Sequence, residues 1–265
     1  MHRFRNLWVV AILIVVGALA LSRLAPGRST PAPVKSAGPD TSIVQVGGGD
    51  QAEDAFVAWP GGNGAVPAVV VVQEWWGLNA QIRDVARRLA LQGYLVIVPD
   101  LYHGKVPTDP MEAHELSRAL DDKEALATLE AAAGWLRAQS RAAKSRVGVM
   151  GFCMGGGLAL GLGLQDPGIA ATVMFYGRLE SDPEVLGKLK GALQAHFGEQ
   201  DQGIPDKAIE GFRTALQKAG RPAEIYVYPG AGHAFMHEGQ DSYRPDAARQ
   251  AWARTLSFLQ KYLRS

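Results

Sequence analysis

The chain has one cysteine, Cys153, so no internal disulfide can staple it. It has no block of basic residues. Its 27 Lys and Arg offset 26 Asp and Glu to a net charge of +1, which speaks against a nucleic-acid partner. There is no His-Glu-x-x-His stretch. His233 and His237 stand four apart in "GHAFMH", but that segment reads as a loop with no Glu beside the first His, and no metal is expected. The glycines after Met154 are not followed by Lys-Ser or Lys-Thr, so they are not a phosphate loop. No serine has glycine both two before and two after it, which leaves a serine nucleophile hard to place. What remains, with 47% hydrophobic and 20% charged residues, is the composition of an ordinary globular domain.

The first 25 residues differ from the rest. Arg3 and Arg5 precede an uncharged apolar run from Leu7 to Leu21. At about 1.5 Å per residue the run is short for a hydrocarbon core of about 30 Å. A signal peptide cleaved after Ala18-Leu19-Ala20 is the preferred reading, with a membrane anchor over 7–21 as the alternative. The chain is thus expected to be exported, to a periplasmic or extracellular location, or tethered to a membrane. Residues 26–41, "PGRSTPAPVKSAGPDT", read as a flexible linker, and 42–265 as one folded domain, expected to be a monomer.

Within that domain, strand and helix patterns alternate. Ser42 to Val46 and Ala55 to Trp59 suggest a hairpin around "GGGDQAED". "VPAVVVVQ", Val66 to Gln73, is a β-branched run without alternation, as in a strand buried on both faces. Ala80 to Gln92 has helical spacing and stops at Gly93; Tyr94 to Val98 is the next strand. A helical stretch from Asp109 to Gln139 is expected to break near Asp121 and Asp122. Further strands are expected at Arg146 to Met150, Ala170 to Phe175, Ala192 to Phe197 and Glu224 to Tyr228, with helices at Gly155 to Leu164, Ala208 to Lys218 and Pro245 to Tyr262. This order predicts an α/β fold, a mostly parallel central sheet with helices on both faces.

Gly151-Phe152-Cys153-Met154-Gly155 follows a strand and precedes a helix, the setting of a strained turn that presents a nucleophile. The helix end behind it favours a thiolate and a developing oxyanion. The plain alternative is a buried structural cysteine. An acid and then a histidine are required downstream. Asp201 stands just past a strand, ahead of Glu199 and Asp206 as the acid, and His233 lies in a Gly-rich loop after the following strand. Glu74, at the carboxyl end of the buried valine run, can be a loop acid or a carboxylate that helps to deprotonate the thiol. The N–H groups of Trp75 and Met154 are candidates for the oxyanion hole. Trp75, Trp76, Tyr102, Phe152 and Phe235 can line an apolar pocket or fill the core. His196 reads as a core residue, and His103 can stand at the pocket mouth.

Taken together, "QEWWGLN", "PDLYHG", "GFCMGG", "FYG", "GEQD" and "AGHAF" resemble the dienelactone hydrolase family of α/β-hydrolases, from about Ser42 to the C-terminus. The resemblance implies a Cys–His–Asp triad at Cys153, His233 and Asp201, with Glu74 touching the resting thiol and Tyr176 at an active-site tyrosine. It implies hydrolysis of a small ester or lactone through a thioester, without a cofactor. The family archetype grips a substrate carboxylate with two arginines, but here Pro110 and His237 occupy those positions and His114 replaces a tyrosine. His114 and His237 are therefore further pocket candidates. Other readings are a thioesterase or other acyl hydrolase on the same triad, or a non-catalytic binding protein on this scaffold.

Overall fold

The computed structural model describes residues 38–49 and 52–264, so the signal or anchor segment and positions 26–37 of the linker lie outside the described residues. Eight strands form one sheet: β1 (Asp40–Val46), β2 (Glu53–Trp59), β3 (Val66–Val72), β4 (Leu95–Pro99), β5 (Ala142–Phe152), β6 (Ile169–Phe175), β7 (Ala192–Gly198) and β8 (Ala223–Tyr228). Between and after them run α1 (Ala80–Leu91), α2 (Pro110–Ala119), α3 (Asp122–Ala138), α4 (Met154–Gln165), α5 (Pro183–Leu186), α6 (Asp206–Lys218) and α7 (Pro245–Leu263). The spatial order is β1-β2-β4-β3-β5-β6-β7-β8. The β1–β2 and β2–β4 pairs are antiparallel, and all other pairs are parallel. β1 takes in Asp40 and Thr41, which composition alone assigned to the linker; they pair with Trp59 and Ala58. The four-residue α5 was not foreseen, being too short to show a period.

The β3 run explains the centre of the sheet. Ala68 to Val72 are fully buried because both faces are covered. Val69 and Val71 enter one core with Ile82 and Leu89 of α1 and Phe258 and Leu259 of α7. Ala68, Val70 and Val72 enter a second with Leu129 and Leu136 of α3 and Leu158 and Leu162 of α4. Each valine contributes roughly 1.5–3 kcal/mol of burial. Pro67, which cannot donate to a ladder, sits where the β3–β5 register shifts, between Val66 and Ala68.

Helix ends follow their capping residues. The Asp121 side chain accepts from the N–H groups of Lys123 and Glu124 and starts α3 there, which breaks the long helical stretch where expected. α4 is apolar nearly all round and accordingly is buried over much of its surface. It descends from the carboxyl edge of β5, and that edge carries the site. Among the described residues no helix is long and apolar enough to cross a membrane.

Candidate active site

Cys153 is the N-cap of α4, with φ 53° and ψ −120°, a conformation that L-residues rarely adopt. Its N–H donates to the Phe175 carbonyl at 3.0 Å, and its carbonyl accepts from the Gly156 N–H at 2.9 Å. The flanking glycines are sterically required. A Cβ on Gly151 would collide with the Gly155 carbonyl, and one on Gly155 with the Gln73 carbonyl of the neighbouring strand end. Strand and helix approach so closely that the thiol is forced out at the sheet edge. Tyr176 and Ala234 also have positive φ, at 38° and 56°, so three of the four non-glycine residues of this kind among the described ones surround the same place.

Asp201 ends the turn after β7, and His233 follows β8. Asp201 Oδ2 lies 2.7 Å from His233 Nδ1, and His233 Nε2 lies 3.1 Å from Cys153 Sγ. The other carboxylate oxygen, Asp201 Oδ1, accepts from the Gly203 N–H at 2.9 Å and fixes the acid's orientation. Glu199 is committed elsewhere, to the Gly230 N–H, and Asp206 lies in the first turn of α6. Burial works against charge on His233, but the bonds to Asp201 and Cys153 and their negative charges outweigh it and push its pKa up to about 10. Burial would raise Asp201, but the bond to His233, its charge and two backbone N–H groups hold that carboxyl below its ordinary value.

Glu74 is 3% exposed and divides its oxygens. Oε1 accepts from the Tyr176 hydroxyl at 3.0 Å, and Oε2 pairs with His237 Nδ1 at 2.8 Å. Burial and the adjacent carboxylate raise Tyr176 well above its usual pKa, so it stays a donor. The resemblance implied that Glu74 touches the resting thiol, but among the described residues its hydrogen bonds go to Tyr176 and His237, and the group on Sγ is His233. The Tyr176 ring lies 5.0 Å from the His233 ring, which couples the two networks by packing.

Cys153 opens on a cavity of about 580 Å³ whose wall includes Trp75, Met154, Tyr176, Arg178, Ile204 and His233. The other pocket candidates are placed elsewhere. Tyr102 is buried behind Met154, its hydroxyl donating to Sδ at 3.4 Å. Phe152 stacks on Phe175 at 4.7 Å in the core beneath the elbow, and Phe235 is fully buried against Tyr176 and Tyr228. These rings are apolar throughout, and the core takes them. His114 is exposed on α2, and Ser117, one turn on, reaches the cavity instead. His237 is buried and committed to Glu74. Because His233 and His237 bond different carboxylates, they do not converge as a metal pair. His103 pairs with Glu53 at 2.8 Å and borders a separate cavity. His196 is the core histidine expected, bonded to Tyr228 and Gln194. Arg178, Asp122 and Ile204 were missed. For Arg178 a signal existed, because it follows Tyr176 by two residues on the same loop.

Comparison with known proteins agrees with this architecture. The profile of the dienelactone hydrolase family matches residues 54–263. A Salmonella typhimurium relative named "Putative carboxymethylenebutenolidase" is 34% identical, covering 91% of this chain and 96% of its own length. A Bradyrhizobium relative named "Probable 2-oxo-3-(5-oxofuran-2-ylidene)propanoate lactonase" is also 34% identical, covering 83% of this chain and 94% of its own. The solved structure of a "Putative Dienelactone Hydrolase" from Klebsiella pneumoniae superposes with a TM-score of 0.77 at 31% identity, covering 84% of this chain and 99% of that one. With an eight-stranded, mostly parallel sheet and helices on both faces, the chain has the α/β-hydrolase fold and belongs to the dienelactone hydrolase family.

Proposed function

We propose that the chain hydrolyses small carboxylic esters or lactones through a thioester on Cys153, with His233 and Asp201 completing the triad. The observation that carries this reading is the relay from Asp201 Oδ2 through the imidazole to Cys153 Sγ, at 2.7 and 3.1 Å. In the first half, the thiolate attacks the carbonyl carbon while His233 carries the proton. The oxyanion that forms is met by the N–H groups of Trp75 and Met154; Met154 opens α4, whose first N–H groups have no partner within the helix. The C–O bond then breaks, and the departing alkoxide takes the proton from His233. In the second half, water gives a proton to His233 and attacks the thioester, and the acid leaves as the thiolate re-forms. Asp201 keeps Nδ1 protonated throughout and stabilises the imidazolium.

The lactonase name of the Bradyrhizobium relative and the butenolidase name of the Salmonella relative support a lactone among the substrates. Export or tethering is part of the proposal, resting on Arg3, Arg5 and the apolar run that follows. Intact mass spectrometry of the protein exposed to activated esters and lactones tests the chemistry. A mass gain of the acyl group located on Cys153 is expected, and it should persist longer in His233→Ala. Turnover that survives in Cys153→Ala would rule out the thioester.

A further inference from the structure

The cavity beside Cys153 has Arg178 as the one Lys or Arg among its described lining residues. We propose that Arg178 determines specificity, receiving a carboxylate at the far end of the substrate from the carbonyl that Cys153 attacks. This rests on the reading of Cys153 as the acylated atom.

Three observations carry it. First, Arg178 stands close to the nucleophile. A Cβ on Gly157 would lie 3.2 Å from the Arg178 Cβ, and the Gly157 N–H reaches the Cys153 carbonyl at 3.4 Å, so the arginine is seated one helical turn from the thiol. The glycine at 157 makes room for it. Second, the guanidinium is oriented but not saturated. Nη2 donates to Asp122 Oδ2 at 2.6 Å, and no other hydrogen bond of Arg178 is seen among the described residues, which leaves the rest of its donor fork for a planar carboxylate. The pair is also exposed, with side chains 78% and 57% accessible, so the attraction within it is weak and a second anion can share or replace Asp122 at small cost. Asp122, in the first turn of α3, keeps the favourable helix end when the arginine leaves it. Third, no other permanent cation lines the cavity among the described residues, and His233 is held by Asp201 and Cys153. Pro110 cannot supply charge, and His237 is buried and spent on Glu74. Recognition of an anion therefore sits on the β6–α4 side of the cavity, on a loop residue rather than at either of those two positions.

The test compares 4-nitrophenyl hydrogen glutarate with 4-nitrophenyl valerate, acyl chains of equal length with and without a terminal carboxylate. The readout is the ratio of their kcat/KM values in the full protein and in Arg178→Gln and Arg178→Lys. The ratio is expected to fall by about tenfold in Arg178→Gln, the lower range for a hydrogen bond to a charged group, and to be partly kept in Arg178→Lys. An unchanged ratio in Arg178→Gln overturns the proposal. Calorimetry with the 4-nitroanilide of glutaric acid, the amide counterpart, separates this outcome from failure of the hydrolase reading. If neither ester is turned over, that reading fails, and the anilide alone decides. Binding about tenfold weaker to Arg178→Gln upholds the arginine site, and equal binding removes it.

Discussion

Glu74 and His237, 163 residues apart in the chain, meet at 2.8 Å with both side chains almost wholly buried. This contact joins the end of β3 to the loop after β8, and through Tyr176 it supports the His233 ring. His237→Ala leaves a buried carboxylate short of a partner and should destabilise the fold by about 3 kcal/mol, measured by urea unfolding. His237→Gln, which keeps a donor, should recover part of that loss. In both variants kcat should decline more than KM rises, since the loss reaches His233 through Tyr176 while no residue of the cavity wall is itself replaced.

The backbone at Cys153 makes a separable prediction. At a helix N-cap glycine is already tolerated better than alanine by a few tenths of a kcal/mol, and φ 53° with ψ −120° suits only glycine well, so both effects act in one direction. Cys153→Gly should therefore be more stable than Cys153→Ala by about 1 kcal/mol, with both variants inactive. The reverse order in thermal unfolding would mean that the elbow relaxes in solution and stores no strain.

How far the site was legible in the sequence depended on chain direction. Cys153, Asp201 and His233 each follow a recognisable strand, and parallel strands bring their carboxyl ends to one edge, so order along the chain was enough. The pocket wall was not legible in this way. Whether a side chain past that edge turns to the cavity, to the core or to solvent depends on local backbone. Phe152 and Phe235 went to the core, and His114 lies one turn from Ser117, which does reach the cavity. Arg178 shows no periodicity, lying on the loop two residues past the strained Tyr176, and Asp122 is placed by the Asp121 cap that starts α3. Asp40 and Thr41 read as linker because their strand character comes from pairing with β2 and not from composition.

The pairing of His233 with Asp201 sets an alkaline limit on the proposed chemistry. With His233 pushed up to about 10, the imidazolium that would protonate the leaving group in the proposed mechanism persists through neutral pH and is lost above that value. The profile of kcat/KM should therefore fall on its alkaline side near pH 10. In Asp201→Asn the main bond that raises His233 is weakened, and the limb should move to lower pH. The same shift is a stability statement. A raised folded-state pKa contributes stability that is full below about 6.5, the unfolded value, and is lost as pH rises through about 10. Unfolding midpoints of the native protein should fall across that window more than those of His233→Ala.

His196 sets the limit on the acid side, away from the chemistry. It is fully buried, stacked on Phe175 at 4.5 Å, and bonded to Tyr228 and Gln194. Burial, together with the nearby Arg254 charge, holds it neutral by lowering its pKa to about 3. The unfolded chain binds a proton there from about pH 6.5 downward while the folded chain does not, so stability falls with acid between about 6.5 and 3. Integrated over that window the loss is on the order of 5 kcal/mol. His196→Gln, which keeps polar atoms but does not titrate, should begin less stable at pH 7 and then lose less than the native protein by pH 4. Urea midpoints measured at both pH values check this. Parallel losses in the two proteins would assign acid sensitivity to the carboxylates and free His196 of the role.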